Sequence, residues 1–377
     1  MKSSKIQFVG KKVKLGELCE ICSGGTPKRS VAEYWKDGTI PWVKIGDMSE
    51  KYVSSTEERI TDAGFNNSSV KMLEPGTLLY SIFASIGAVS ILKIPATTNQ
   101  AIAGLKIKDD SLDRDFLYHY LKSRESISKS SGRGAAQNNI NLTILRNMQV
   151  TLPSIEIQRS IVRNLEMISN QVTIAESHLM DLDALVKSRF VEMFGTPDNN
   201  IHSLPIKTMG GISEQLIAGG DKPRKISKNK DLKHPYPVFA NGTIADGLQG
   251  FSEEARVNKS AVTIAARGTI GFCLVREPGF TPIVRLISLV PKPSINVVYL
   301  KYFIDLLNLA GSGSSQAQLT LPAFREQQIL VPELKEQLEF ATFVAQVDKS
   351  RFGGMLHLLN SLSGIMHASF FSVADTD

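Results

Sequence analysis

Two short stretches of this sequence follow the same pattern: VTLPSIEIQ at residues 150–158 and ILVPELKEQ at residues 329–337. Each combines a short apolar strand, a proline and the glutamine-bearing start of a helix. At one constant separation, Leu142, Arg146, Gln149, Pro153 and Gln158 recur as Leu321, Arg325, Gln328, Pro332 and Gln337. The sequence therefore predicts two copies of one unit.

The composition is that of a globular protein. The chain has 377 residues, enough for two or more domains with separate cores, and is 42% hydrophobic and 21% charged. It contains no run of eighteen apolar residues, and the start MKSSKIQFVGKKVKL lacks the apolar segment of a signal peptide. We therefore expect a cytoplasmic protein with no membrane partner.

The charge balance is moderately basic. A net charge of +6 and a pI near 9.0 indicate an acidic partner, and nucleic acid is the commonest one for a protein of this kind. The charge is too small to decide the question by itself.

The cysteines and histidines do not predict a metal site. Cys19 and Cys22 form the pair CEIC, but a zinc site needs a second pair of ligands, and Cys273 stands alone. Two small residues in an apolar strand are the preferred interpretation. The six histidines are scattered without ligand spacing, so we predict no metal.

Apolar residues behind Pro153 follow a heptad pattern, in alternate steps of four and three. This seam consists of Ile161, Leu165, Ile168, Val172, Ala175, Leu179, Leu182 and Val186. It is typical of a coiled coil. With Ser154 as N-cap and Gly195 as the stop, the pattern predicts one helix of about forty residues, about 60 Å long.

The second copy keeps part of the seam, at Phe352, Leu356, Leu359, Met366 and Phe370. Gly353 and Gly354 interrupt it, and we expect a bend or a close backbone approach there because glycine weakens a helix interior.

Short β-branched runs between turn residues precede each helix, for example GTLLYSIFASIGAVSIL and SAVTIAARGTIGFCLV. The predicted fold class is therefore α/β (α+β), with two mixed α/β globules and two long helices that form an antiparallel coiled coil. The arrangement is a pseudo-two-fold internal repeat. The expected segments are globules at 1–152 and 196–331 and helices at 153–195 and 332–377.

Three stretches of the first half carry a family resemblance: SGGTPKRSVAEYWKDGTIPWVKIGDMSE, TTNQAI at residues 97–102, and GRGAAQNNINLTILRNMQVTLPS. Together with the helix behind them, they resemble the specificity subunit of type I restriction-modification systems, in the order target-recognition domain, helix, target-recognition domain, helix. The second half lacks the GGTP…IPW signature and has GGDKPRKISKNKDLKHPYPVFANG instead.

The resemblance implies a non-catalytic DNA-specificity subunit. Each globule would bind one half of a bipartite double-stranded DNA target, while the coiled coil sets the spacing and docks two methyltransferase subunits. Motor-nuclease subunits would join for restriction. No cofactor is expected in this chain, because S-adenosylmethionine, ATP and Mg would belong to the partner subunits.

The residues themselves show no catalytic arrangement. There is no NPPY or DPPY tetrapeptide of an amino-methyltransferase and no G-x-x-x-x-G-K-[ST] phosphate loop. No paired acids or nucleophiles are evident, so we predict no catalytic residue. Two alternatives stay open: a coiled-coil adaptor that binds proteins or glycans, and a self-contained DNA methyltransferase or nuclease.

The candidate DNA-binding residues form three groups. The densest basic stretch supplies candidates for phosphate contact, or else a solvated loop: Lys222, Arg224, Lys225, Lys228 and Lys230. Two glycine-flanked loops supply candidates for base reading, or else for backbone capping between globule and helix: Arg133, Gln137, Asn138 and Asn139, with Gln316 and Gln318 in the second half. Weaker candidates are Lys28, Arg29, Lys44 and Arg267. Trp35 and Trp42 are assigned to the core rather than to base stacking.

Overall fold

The computed structural model of the chain describes residues 10–83, 86–130, 140–307, 309 and 318–351. The described residues fall into two compact units, which divide between Ala175 and Glu176. Five sequence candidates, Arg133, Gln137, Asn138, Asn139 and Gln316, lie outside the described residues, as do Gly353 and Gly354 with the bend expected there.

The first unit is a mixed α/β structure. Its strands are β1 Lys11–Lys14, β2 Cys19–Ser23, β3 Ile40–Val43, β4 Tyr52–Val53, β5 Glu58–Ile60, β6 Leu78–Ser81, β7 Val89–Leu92, β8 Thr97–Thr98, β9 Ile102–Ile107 and β10 Gln149–Leu152. Its helices are α1 Leu15–Leu18, α2 Asp62–Asn66, α3 Arg114–Ser130, α4 Leu142–Asn147 and the start of α5 Ile155–Phe194. One sheet has the order β2-β9-β6-β7-β4, a second has β5-β3-β8, and β1 pairs with β10.

The core of the first unit lies between the larger sheet and the helices. Phe116, Leu117 and Leu121 of α3 and Leu165 of α5 are fully buried in one apolar cluster with strands β6 and β9. Strand β6 is buried at every position, which is why its sequence LLYS lacks the alternation of a half-exposed strand.

The second unit repeats this plan. Its strands are β11 Ile206–Thr208, β12 Ser213–Ala218, β13 Tyr236–Phe239, β14 Leu248–Ser252, β15 Ala261–Ile264, β16 Cys273–Arg276, β17 Thr281–Pro282, β18 Ile287–Pro291 and β19 Gln328–Leu330. Its helices are the end of α5, α6 Met209–Ile212, α7 Val297–Asp305, α8 Leu321–Arg325 and α9 Leu334–Ser350. The sheets have the orders β12-β18-β15-β16 and β14-β13-β17, and β11 pairs with β19.

The structure identifies a counterpart of the GGTP…IPW signature in the second unit. Strand β3 is parallel to β8, with Trp42 opposite Thr97, and β13 is parallel to β17, with Val238 opposite Thr281. The IPWV of β3 thus corresponds to the YPVF of β13. The second half lacks the residues of this signature, but its backbone has the same strand pairing.

The recurring arginine has a packing role in both copies. Strands β10 and β19 follow α4 and α8, whose last turns carry Arg146 and Arg325. A Cβ on Gly16 would lie 3.0 Å from Arg146, and one on Gly210 would lie 2.6 Å from Arg325. Each arginine side chain therefore covers a glycine of the short helix beside it.

The glutamine that recurs at the start of each long helix is completely buried. In the first unit, Nε2 of Gln158 donates to the carbonyls of Ser111 (2.7 Å) and Pro153 (2.9 Å). Its Oε1 accepts from the backbone N–H of Asp113 at 2.8 Å. The carboxylate of Asp113 in turn accepts from Phe116 in the first turn of α3. One amide therefore joins the start of α5 to the start of α3.

The second unit repeats this joint atom for atom. Nε2 of Gln337 donates to the carbonyls of Ser294 (3.2 Å) and Pro332 (2.9 Å), and Oε1 accepts from the N–H of Asn296 at 2.8 Å. Asn296 is the N-cap of α7. The repeat with which the sequence opens is thus the repeat of a buried hydrogen-bonded joint.

An ion-pair bridge supplements the joint in the first unit. Nζ of Lys51 lies 2.8 Å from Asp115 of α3 and 2.9 Å from Glu166 of α5. Burial opposes the charged form of Lys51, but the two carboxylates outweigh it and raise the pKa of the lysine. The bridge therefore holds α3 and α5 together about two turns beyond Gln158 along α5.

The predicted seam of α5 is buried or half-buried at all eight positions. In the second unit, Phe340 of α9 packs edge-on against Phe190 of α5, with ring centroids 5.2 Å apart. Immediately after the end of α9, Arg351 forms an ion pair with Asp183. Because the partner numbers fall as α9 advances, the described part of α9 runs antiparallel to the end of α5. The four segment boundaries stay predictions.

We expect Gln158→Ala to destabilise the first unit and Gln337→Ala to destabilise the second, each by about 1–3 kcal/mol. Truncation leaves buried backbone donors and acceptors without partners. Chemical unfolding measures this loss of stability, and hydrogen exchange assigns it to one of the two units. The matched control is Gln171→Ala, at an exposed position of α5. Equal effects of Gln171→Ala and Gln158→Ala would contradict the role of the joint.

Candidate nucleic-acid interface

The strand order of the second unit brings four turns to the same edge. Because β13 and β17 are parallel, both end there. The last residue of β12 pairs with Ile287 at the start of β18, and so does the last residue of β15. The turns that follow these strands, 219–220, 240–247, 265–272 and 283–286, therefore lie together, and we call them the loop edge.

Two candidates from different parts of the sequence meet at the loop edge. Arg267 lies in the turn between β15 and β16, and its Nη2 donates to Oε1 of Gln318 at 2.9 Å. The backbone N–H of Leu319 donates to the carbonyl of Ala266 at 3.0 Å, which holds the segment before α8 against this turn. Both side chains are exposed. The partner of Arg267 is a neutral amide, so this contact leaves the charge of the arginine available to a ligand.

The structure adds Arg285, which the sequence predictions do not include. It is exposed in the turn between β17 and β18. Arg285, Gln318 and Thr320 line a pocket of about 390 Å³ beside Gly219. The sequence feature that could have identified it is a lone arginine inside the apolar run TPIVRLISLV. A single charged residue in such a run indicates an exposed turn between two buried strands.

The basic stretch leaves the loop edge at Gly220 and passes along the outer side of β14, where Ser227 forms a bridge with Phe251. All five of its candidates are exposed, namely Lys222, Arg224, Lys225, Lys228 and Lys230. Lys225 lies 3.7 Å from Glu253. Lys222 and Arg224 are nearest to the loop edge along the chain, whereas Lys228 and Lys230 follow the bridge with β14.

The basic candidates of the first unit are largely engaged within the unit. The Arg29 guanidinium lies 3.7 Å from the ring centroid of Trp35 and 4.7 Å from that of Trp42, and it forms an ion pair with Glu58. Nζ of Lys44 lies 2.8 Å from Glu58. Arg29 first, and then Lys44, hold the pKa of the Glu58 carboxyl below its ordinary value. Of the three candidates, Lys28 is the exposed residue outside this cluster.

The two tryptophans support the same cluster. Trp42 is 2% exposed, and its Nε1 donates to the carbonyl of Gly25 at 3.0 Å. Nε1 of Trp35 donates to the carbonyl of Lys28 at 3.3 Å, and the two indoles meet edge to face. Trp42 is therefore a core residue, and Trp35 is a half-buried partner of the GGTP turn.

The base-reading loop of the first unit, with Arg133, Gln137, Asn138 and Asn139, lies outside the described residues, as does Gln316 of the second. The residue that follows this loop makes an equivalent hydrogen bond in both units. The N–H of Ile140 donates to the carbonyl of Ile82, and the N–H of Leu319 donates to the carbonyl of Ala266.

Within the described residues, no group of three or more His, Cys, Asp or Glu side chains could hold a metal ion. Cys19 is a free thiol in β2, and burial raises its pKa to about 12. Burial also raises the pKa of the Cys273 thiol, which donates to Asp305 at 3.0 Å. No helix in the part of the chain that the structure describes is long and apolar enough to cross a membrane.

Comparison with known proteins assigns the family. The profile of the type I restriction modification DNA specificity domain matches residues 10–181 and 206–358. The chain belongs to this family. The two matches correspond to the two halves of the internal repeat, and they do not favour an adaptor or a self-contained enzyme. The chain is a DNA sequence-specificity subunit without catalytic activity of its own. Membership of a type I system implies association with DNA and with methyltransferase and restriction subunits.

Similar type I specificity subunits come from distant organisms. One from Mycoplasma pneumoniae is 25% identical over 247 residues, covering 65% of this chain and 67% of the relative. The EcoprrI subunit of Escherichia coli is 21% identical over 353 residues, covering 89% and 86%. The MjaIX subunit of Methanocaldococcus jannaschii is 30% identical over 252 residues, covering 65% and 55%.

Solved structures confirm the predicted fold class. The S subunit of a type I system from M. genitalium aligns with a TM-score of 0.57 at 18% identity, over 99% of this chain and 98% of that one. A chain from a structure of type I complex assembly aligns with a TM-score of 0.63 at 17% identity, over 97% of each. Two mixed α/β domains are therefore shown by both the fold and the family.

We expect Arg29→Ala to lower the stability of the first unit, because it removes the contacts with both indoles and with Glu58; exposed cation–π contacts are worth about 0.5–1 kcal/mol. Lys28→Ala should leave stability unchanged and weaken binding to any DNA. Chemical unfolding and the salt dependence of DNA binding separate the two effects. An Arg29→Ala variant of unchanged stability that loses as much DNA affinity as Lys28→Ala would contradict this assignment.

Proposed function

We propose that each half of the chain reads one half of a bipartite double-stranded DNA target. The observation that carries this proposal is the contact of Arg267 with Gln318 beside Arg285 on the loop edge. Arginine donates to the two acceptors of a guanine edge, and glutamine both donates to and accepts from adenine. These side chains lie on turns that two packed sheets hold in place, which is the usual location of recognition residues.

The exposed cations of the basic stretch serve phosphate contact in this proposal. Lys222 and Arg224 have no sequence-reading geometry of their own, since they lie on a solvated segment beside the turns. Phosphate contacts position a protein on the duplex without distinguishing bases. The second unit thus combines an anchoring segment with a reading edge.

The long helices set the spacing of the two half-sites and dock two methyltransferase subunits. Helix α5 supports this role because it exposes apolar side chains outside its seam. These are Ile157, Met167, Ile174, Met180 and Leu185, which are 47–72% exposed. The methyl donor, ATP and Mg belong to the partner subunits, and motor-nuclease subunits join the assembly for restriction. A protein that acts on chromosomal DNA in this way works in the cytoplasm.

The first test of this function is to determine the DNA sequence that the chain recognises. Methylation mapping of DNA modified by this chain with its methyltransferase should yield two specific half-sites separated by a non-specific gap. A single continuous site, or methylation independent of this chain, would contradict the bipartite proposal.

With the site known, Gln318→Ala should cost about 1–3 kcal/mol of discrimination at one half-site only, because it removes a contact to a base edge. Competition binding with single-base variants of each half-site measures it. The control is Gln215→Ala, an exposed glutamine in the middle of β12. Loss of equal size on cognate and random DNA would reassign Gln318 to structure.

Charge reversal at Lys222 and Arg224 should weaken binding to all sequences alike. The slope of log K against log salt is negative, and each lost phosphate contact reduces its magnitude by about 0.9. The matched control is Lys207→Glu, at an exposed position of β11. An unchanged salt slope would show that the segment does not contact the backbone of DNA.

A further inference from the structure

One asparagine side chain connects three turns of the loop edge. Asn241 follows β13, and its Nδ2 donates to the carbonyl of Val284 at 2.6 Å. Its Oδ1 accepts from the backbone N–H of Ala266 at 2.8 Å. Ala266 is 1% exposed, so its N–H has little access to water. The amide of Asn241 therefore fixes the backbone of two turns that are distant in sequence.

Both hydrogen bonds end on the residue immediately before an arginine. Val284 precedes Arg285, and Ala266 precedes Arg267. These are the two exposed arginines of the loop edge, on either side of Gln318. The distance and relative direction of their Cα atoms thus depend on a single side chain that is itself only half-buried.

The first unit joins its corresponding turns through a backbone hydrogen bond, while Oδ1 of Asn99 accepts from the N–H of Ala101 at 3.0 Å within one of them. There the N–H of Ile82 donates directly to the carbonyl of Ala101 at 2.8 Å. Ile82 and Ala266 are equivalent positions. The carbonyl of each accepts a hydrogen bond from the residue two positions before a short helix, which is α4 for Ile82 and α8 for Ala266. The position of Asn241 is occupied there by Ile45, two residues after β3. The asparagine bridge is therefore a property of the second unit and not of the shared fold.

The turn that Asn241 holds is strained. Val284 has φ 50° and Arg285 has φ 61°, although neither is glycine. Left-handed backbone is unfavourable at such residues and persists only where the surroundings enforce it. From one side, the N–H groups of both residues donate to the carbonyls of Gly220 and Gly219, each at 2.8 Å. From the other side, Asn241 holds the carbonyl of Val284.

We propose that Asn241 is a positioning residue for base recognition by the second unit. It holds Arg267 and Arg285 at the separation that matches acceptor groups on the base edges of one DNA half-site. The ligand is a half-site that contains G·C pairs, since both arginines donate to acceptors of the guanine type. This inference rests on the proposed function and assigns a specificity role to a residue that does not itself contact a base.

The experiment uses the full chain with its methyltransferase and duplexes that carry the mapped site. Asn241→Ala should reduce discrimination against single-base changes in the second half-site by about ten-fold, equal to about 1.4 kcal/mol. Discrimination at the first half-site should not change, and affinity for random DNA should stay within about two-fold because phosphate contacts remain. Asn258→Ala, at an exposed position of the same unit outside the loop edge and the basic stretch, serves as the matched control.

A double-mutant cycle distinguishes positioning from general stabilisation. In the Arg267→Ala, Arg285→Ala background, Asn241→Ala should cause no further loss of discrimination, because it acts through those arginines. Asn241→Asp keeps the acceptor for Ala266 but loses the donor to Val284. It should therefore lose the part of discrimination that depends on Arg285 and keep the part that depends on Arg267, which also tests the idea if the alanine variant does not fold.

Additive losses in the cycle, or equal losses on cognate and random DNA, would overturn the positioning role. Failure of the two proposals is distinguishable. If Arg267→Ala and Arg285→Ala leave the second half-site discrimination intact, the assignment of the loop edge as a reader fails. If those variants reduce discrimination and Asn241→Ala does not, only the role of Asn241 fails.

Discussion

The buried glutamine joint is the constraint on which both halves of the molecule depend. Gln158 and Gln337 are fully enclosed, and all three hydrogen bonds of each end on backbone atoms. Backbone partners cannot rotate away as side chains do, so each joint fixes the angle at which a globule meets its long helix. The same amide also closes the proline turn before the helix. In the proposed function, a long helix that spaces two reading surfaces requires such a rigid junction.

The cations of the two units differ in function because their partners differ. In the first unit, Arg29 and Lys44 share the carboxylate of Glu58, and Arg29 also covers two indole rings. Their positive charges are therefore engaged in ion pairs beside the GGTP turn. In the second unit, Arg267 meets the neutral amide of Gln318. Its charge stays available to a ligand, which is why similar residues have structural importance in one copy and are recognition candidates in the other.

Duplication followed by divergence at the turns explains this contrast. The two units share strand order, parallel pairing at the signature strands and the capped helix that contacts each glutamine. The larger sheet of the first unit has one further strand, β4, at its edge. The turns also differ: Ile45 stands in one copy and Asn241 in the other, and the turn at Ala101 has no positive φ whereas the turn at Arg285 is left-handed. Because the sheets bear the packing, the turns can change their chemistry without loss of the fold. In the proposed function, one scaffold thus supplies two readers of unlike specificity.

The sequence by itself determined the features that repeat at fixed spacing. The duplicated unit, the α5 seam and the mixed α/β class all follow from periodic patterns, because burial on one face imposes a period on the chain. The phosphate-contact candidates were also recognisable, as a dense run of like charge. Only the tertiary structure decided that Glu58 neutralises Arg29, that Arg267 meets Gln318, and that Asn241 spans Val284 and Ala266. Each of these contacts joins residues far apart along the chain, and which distant turns meet at one edge is set by strand pairing that no local pattern records.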